Sequence, residues 1–291
     1  MYGITIIGAG RVGLSLAAAL KQTGYRIDTV LHRGTPSFPA GAAILKPYSP
    51  DSLKEIHSDI VFITTQDDGV ERIAKEYARE ISASPKAVFH TSGSLSSGVL
   101  APLRNKGIDV GSMHPLVSIS RPFEGVDGFA GVYFCIEGDA AAIGIADDIA
   151  RGFAGYPFTI ETKFKPLYHA AAVTAAGHIS ALFDTALELI ETCGLNREDG
   201  RKVLLPLLTS TAANLAHQMP EDALTGPYAR IEMQTFAAHL ASLDEYASPE
   251  VSQIFLSMAA RSVEMTRRRS GKNAANAALL ERIIMAKSSR K

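Results

Sequence analysis

The sequence is short of cysteine, of net charge and of long apolar runs, and each shortage removes a class of function. Only Cys135 and Cys193 occur in 291 residues, they form no CxxC, and both lie in apolar surroundings. Two buried free thiols are therefore expected, rather than a disulfide framework or a metal site. The eight histidines are scattered without metal-ligand spacing, so no metal is expected. Thirty acidic residues against 29 basic ones leave a net charge of -1. That balance provides no general attraction to nucleic acid or to an anionic membrane. No stretch reaches the ~18 to 20 uninterrupted apolar residues of a membrane span, and the first apolar run starts beside Met1, leaving no room for a signal peptide. The expected setting is the cytoplasm, with a small molecule as partner and neither membrane nor nucleic acid.

What is present is a globular composition, 46% hydrophobic and 20% charged, in a chain long enough for two domains. Its organising stretch is ITIIGAGRVG, Ile4 to Gly13. Ile4, Thr5, Ile6 and Ile7 read as a strand buried on both faces, and an alanine-rich helix follows the glycines. Gly8 permits a sharp turn, Gly10 has no side chain to keep a pyrophosphate from the backbone, and Gly13 lets the helix pack close to the strand. The helix start, with Arg11 and Val12, presents free amide groups to the phosphates. A glycine-rich turn packed for its own sake is the alternative.

The second strand, Tyr25 to Leu31, carries the cofactor choice at its end. NAD-selective sites place an acid there for the ribose hydroxyls, whereas this chain reads His32, Arg33, Gly34, Thr35, with Ser37 close behind. A guanidinium and hydroxyls suit a 2′-phosphate, so NADP is favoured over NAD. Arg33 could also be a solvated loop residue. After an irregular proline-rich connection, Asp59 to Thr65 reads as a strand. Asp67 or Asp68 caps the next helix, and Thr65 and Gln66 should border the cofactor at the strand end.

Lys86 to His90 is the next strand and opens into Thr91, Ser92, Gly93. Asp109 to Met113 follows and delivers His114 and Pro115. If the two run parallel, Ser92 and His114 converge at one sheet edge, where a histidine can move a proton near neutral pH and a hydroxyl can orient a carbonyl or alcohol. A histidine capping local backbone is the plain alternative. Two further strands flank a helix over 140–153, and from Lys165 the pattern is helices alone. The expected architecture is thus α/β: a doubly wound, mostly parallel Rossmann sheet over 1–161, then an all-α domain over 162–291.

Pro166 suits the first turn of a long helix reaching about Cys193. Lys165 and His169, four apart, share one face of it, and a lysine there can polarise a carbonyl. A lysine at the helix entrance and a histidine packed in a helix interface are the plainer alternative. A second helix over 199–218 should be kinked or divided by Pro206. In LTGPYARIE, Thr225 and Arg230 either contact an anionic substrate or form a capped turn with a surface charge. Helices over 233–243, 249–267 and 274–286 complete the chain.

Several stretches together, GAGRVG, HTSGSL with GSMHPL, KPLYHAAAV, and LTGPYAR with Thr235 and His239 after it, resemble a known family along almost the whole chain. It is that of Rossmann-like oxidoreductases carrying a C-terminal helical domain of unknown function. They stand in the wider group of 6-phosphogluconate dehydrogenase, ketopantoate reductase and pyrroline-5-carboxylate reductase, whose helical domains commonly build dimers. The resemblance implies NADP-linked hydride transfer to or from a small carbonyl, hydroxyl or imine compound, and a homodimer. It names no substrate. Ser92 and His114-Pro115 look like the serine and His-Pro pair by which prephenate dehydrogenases act on a substrate hydroxyl. β-Hydroxyacid dehydrogenases use a lysine followed four residues later by asparagine. Here His169 follows Lys165, and Ala175, Ala176, Gly177 stand where the family often reads Ala-Ser-Asn, so the resemblance places Ser92 and His114 first. The reading from another class is a non-catalytic NADP sensor that alters a partner.

Overall fold

A computed structural model describes residues 2–34 and 45–270, with 278, 280, 282 and 283 beyond them. Thr35, Ser37 and most of the helix expected over 274–286 lie outside the described residues. The chain divides into two compact units, Met1–Gly177 and His178–Lys291.

The first unit is an eight-stranded sheet in the order β3-β2-β1-β4-β5-β6-β7-β8. Its strands are β1 (Gly3–Ile7), β2 (Arg26–His32), β3 (Leu45–Pro47), β4 (Ile60–Ile63), β5 (Ala87–His90), β6 (Asp109–Pro115), β7 (Tyr133–Gly138) and β8 (Tyr156–Thr159). The helices between them are α1 (Arg11–Gln22), α2 (Pro50–Lys54), α3 (Asp67–Glu80), α4 (Ala101–Arg104) and α5 (Ala140–Gly152). Every strand pair is parallel except β6 with β7. Runs such as IVFI in β4 are apolar throughout because helices cover both sheet faces. Alternate residues feed opposite layers. Ile4, Ile6, Ile60 and Phe62 pack with α1 and α5, whereas Ile7, Val61, Ile63 and Val88 pack with α3. β1 pairs with β2 on one side and β4 on the other, so the chain reverses its direction of growth there. A crevice opens beyond the carboxyl ends of strands at such a point.

Local differences from the sequence reading have simple causes. β3 is a short edge strand where only an irregular connection was expected, and Pro47 is tolerated at its end. Gln66 is the N-cap of α3, so Asp67 and Asp68 occupy the first turn, where they complement the helix dipole, and neither is the cap. The helix expected from Pro166 to Cys193 is two, α6 (Lys165–Ala175) and α7 (Gly177–Thr192), parted at Ala176 with φ -128° and ψ -67°. Because α6 buries Lys165 and sets Tyr168 against Phe158 of β8, with ring centroids 6.0 Å apart, it belongs to the first unit. The unit boundary therefore falls after α6 and not between 161 and 162.

The second unit contains α8 (Arg197–Leu215), α9 (Pro220–Ala223), α10 (Gly226–Arg230), α11 (Met233–Tyr246) and α12 (Pro249–Ser270) as well as most of α7. Pro206 lies inside α8 without dividing it. Ile231, Phe236, Leu240, Leu256 and Val263 make a core between α10, α11 and α12. Cys193, at the end of α7, is exposed, contrary to expectation, while Cys135 is buried; both are free. Among the described residues, Thr162–Thr192 is long and apolar enough for a membrane span by length and hydropathy, at a mean of 1.2. The break at Ala176 divides that stretch, and its first half carries side chains onto the sheet.

Candidate active site

The glycine turn is built as its spacing suggests. Gly8 has φ +128° in the left-handed region, and Thr64 at the end of β4 donates its hydroxyl to the Gly8 carbonyl at 2.8 Å. A side chain on Gly13 would begin on the Gly8 carbonyl oxygen, so α1 touches the turn there without room for one methyl. Gly10 faces open space, with nothing within 4 Å of the position a Cβ would take. It is also the N-cap of α1, and neither a side-chain cap nor an acid covers the helix start. Uncapped amides beside open space suit a phosphate.

Two cavities meet at this crevice. The first, about 480 Å³, is lined by Gly8, Gly10, His32, Arg33, Thr65 and Gln66, among others. The exposed Arg33 guanidinium extends over the start of α3, 3.7 Å from where a side chain on Gly69 would begin. The second, about 270 Å³, is lined by Ser92, Gly93, His114, His169, Arg11 and Asp67, and Val12 also borders it. Thr64 and Thr65 line both. The Thr65 hydroxyl is buried there without a hydrogen-bond partner. Of the nine residues expected at the cofactor, six line the first cavity, Arg11 and Val12 line the second, Thr65 being common to both, and Gly13 packs behind them.

Parallel pairing of β5 with β6 brings Ser92 and His114 to one edge. Ser92 Oγ accepts from the amides of Ser94 (3.2 Å) and Leu95 (3.0 Å), so it shapes its own loop, and its hydroxyl proton points to Ser94 Oγ at a long 3.4 Å. The Ser94 hydroxyl ties that loop to Asp67 at 2.6 Å. His114 Nδ1 lies 2.8 Å from the Tyr168 hydroxyl of α6. Burial, then the charge of Lys165 and the neighbouring His169, bring its pKa down to about 4. His114 and His169 meet edge to face at 5.7 Å, and His169 Nδ1 is buried without a partner. Gly93 makes this possible: a Cβ there would touch His169 Nδ1 and lie 2.9 Å from His114 Nε2.

Lys165 departs from its expected place. It is 0% exposed and lines neither cavity. Its ammonium donates to the Ser92 carbonyl (3.1 Å) and to Ser112 Oγ (2.7 Å), and burial lowers its pKa. It braces the two strand ends from behind. Thr225 and Arg230 belong to the second unit and are not among the residues that line either cavity; Arg230 donates to Glu232 at 2.5 Å.

Two residues of this site escaped the sequence reading, Tyr168 and Gly93. Tyr168 stands three positions after Lys165 and one before His169, so helical spacing was the available signal. Gly93 gave none, since its role depends on rings from two other elements.

The chain matches a Rossmann-like domain over residues 2–115 and a domain of unknown function, DUF2520, over residues 132–262. No curated protein matches. Among solved structures it is similar to a Bacteroides fragilis protein described as a candidate NADP oxidoreductase, at 22% identity, TM-score 0.71, with 89% of this chain and 96% of that one covered. An imine reductase of Myxococcus stipitatus in complex with NADP+ aligns at 21% identity and TM-score 0.64, covering 90% and 94%. A Plasmodium falciparum pyrroline carboxylate reductase with NADP bound aligns at 15% and 0.60, covering 97% and 98%. At these identities the likeness establishes the fold.

Proposed function

We propose that this chain, a Rossmann-like domain followed by a DUF2520 domain, is an NADP(H)-dependent oxidoreductase of a small carbonyl, hydroxyl or imine compound. The observation that carries the reading is the pair of cavities joined at Thr64 and Thr65, one floored by the glycine turn, the other ringed by proton-active side chains. The uncapped start of α1 and the open face of Gly10 hold the pyrophosphate, and His32 and Arg33 receive the 2′-phosphate. When bound, the nicotinamide supplies or accepts a hydride. Thr65 and Gln66 would border the cofactor, with the unpartnered Thr65 hydroxyl as one polar contact. Ser92 and His114 orient the reacting oxygen or nitrogen and assist its proton transfer, and His169 faces the same space. The imine reductase and the pyrroline carboxylate reductase among the similar folds favour a C=N bond as the first to try.

A second copy of the chain is proposed to pack against α7 and α8. Val203 and Leu207 on α8 are 56% and 65% exposed, which is unusual for a row of large apolar side chains. Light scattering at several concentrations checks this, and a monomeric mass throughout rules it out.

Calorimetric titration with NADPH and NADH is the deciving test of the cofactor assignment, run in parallel on Arg33→Ala. NADPH binding tighter than NADH, with the preference lost in the variant, is expected. If neither nucleotide binds, the reading falls. NADPH oxidation is then followed with cyclic imines, ketones and hydroxyacids; tight binding without turnover across that panel would leave a nucleotide sensor instead.

A further inference from the structure

Tyr168 reaches one of two residues that the sheet places side by side. His114 of β6 and Cys135 of β7 are register partners in the antiparallel pair, so their side chains share one face. The Tyr168 hydroxyl from α6 bonds to His114 Nδ1 at 2.8 Å.

We propose that Tyr168 is a positioning residue that fixes the tautomer of His114, so that the neutral imidazole presents Nε2–H to the cavity above Gly93, opposite the unpartnered Nδ1 of His169. The proposal rests on the reading of that cavity as the substrate site. An imidazole nitrogen is a far better acceptor than a phenol oxygen, and the phenol O–H is a good donor, so the phenol donates to His114 Nδ1. The direction of that bond is thereby set. The proton left on His114 sits on Nε2, and that nitrogen lies 2.9 Å from the point where a Gly93 side chain would begin. His169 Nδ1 faces the same point and accepts.

The neighbours keep His114 neutral. Burial is the largest influence against its protonation, Lys165, His169 and His90 act the same way, and Asp67 alone favours it. A site with one donor and one acceptor a few ångströms apart selects for a reacting atom that can do both. An amine nitrogen or an alcohol oxygen accepts from His114 and donates to His169; an ether or a carboxylate satisfies only the donor. The substrate class that follows is a secondary alcohol or amine; its oxidised partner, a ketone or imine, keeps the bond from His114.

The test uses the full-length protein labelled with 15N at histidine and long-range proton–nitrogen spectra between pH 5 and 8, with His114→Asn to assign the signals. Wild type is expected to show His114 neutral throughout, protonated on Nε2. Tyr168→Phe should redistribute the proton between both nitrogens, while Cys135→Ala should keep it on Nε2. A wild-type Nδ1–H tautomer, or a Tyr168→Phe spectrum identical to wild type, overturns the proposal; should Tyr168→Phe fail to fold, the wild-type tautomer decides alone. These spectra need neither substrate nor cofactor, so a protein that never oxidises NADPH can still confirm or overturn the tautomer.

Discussion

The two units of this chain bury their apolar residues in opposite ways. In the first, helices on both faces of the sheet leave Ile4, Ile6, Phe62 and Phe89 at 0% exposure. In the second, α7 contributes Leu187 and α8 contributes Gly200 as their buried residues, although both are long and rich in leucine and alanine. A sheet layered between helices closes its core within one chain, whereas helices that are apolar on several faces need something outside themselves to cover them. The difference separates what one chain completes alone, the cofactor crevice, from what it leaves open.

The comparison breaks most visibly through core truncation. Phe62→Ala removes a ring stacked on Phe89 at 5.1 Å and should lower stability by about 3–5 kcal/mol in urea unfolding. Leu207→Ala, measured at dilutions where light scattering gives a monomer, should change stability by less than about 0.5 kcal/mol. If the two losses are similar, α8 is packed within its own chain and the contrast is wrong. Next in size, Gly13→Val should abolish NADPH binding in calorimetry, because any Cβ lands on the Gly8 carbonyl oxygen and pushes α1 off the turn. Retained affinity would mean that the turn is not the phosphate site.

The pH response belongs to the first unit. Folded His90 and His114 both have pKa values near 4, against an ordinary 6.5. Between those values the unfolded chain binds protons that the folded chain does not. Stability is therefore full above about pH 6.5 and falls as the pH drops toward 4, on the order of 3 kcal/mol for each histidine. Urea midpoints at pH 7.5 and 5.0 check this, and His114→Asn should flatten the dependence by about half. The smallest loss expected within the crevice is at its rim: Arg33→Ala should reduce the preference for NADPH over NADH roughly 10-fold, a loss of about 1.4 kcal/mol.

The sequence displayed whatever is local. β1, the glycine turn and α1 are contiguous, and their apolar period and glycine spacing are visible in ten residues. The convergence of Ser92 and His114 was legible as well, because parallel strands end at the same edge. Lys165 was misplaced for a physical reason: a helix start exposes one face to a cleft and another to the strands behind it, and the alternation of charged and apolar residues in KFKPLYH does not say which. The same limit hid Tyr168 and the exposure of Cys193. Asp67 and Asp68 have the chemistry of caps, yet the preceding Gln66 takes that position by backbone geometry alone. Burial, ring convergence and capping are settled by residues far away in the chain.

Because Cys135 is enclosed and Cys193 is open, the native molecule offers a single addressable thiol. A maleimide dye should label one site per folded chain and two after denaturation. The labelled position ends α7, beside the helices with uncovered leucines, so the fluorescence of an otherwise unaltered protein can follow encounters between chains without any cysteine being engineered.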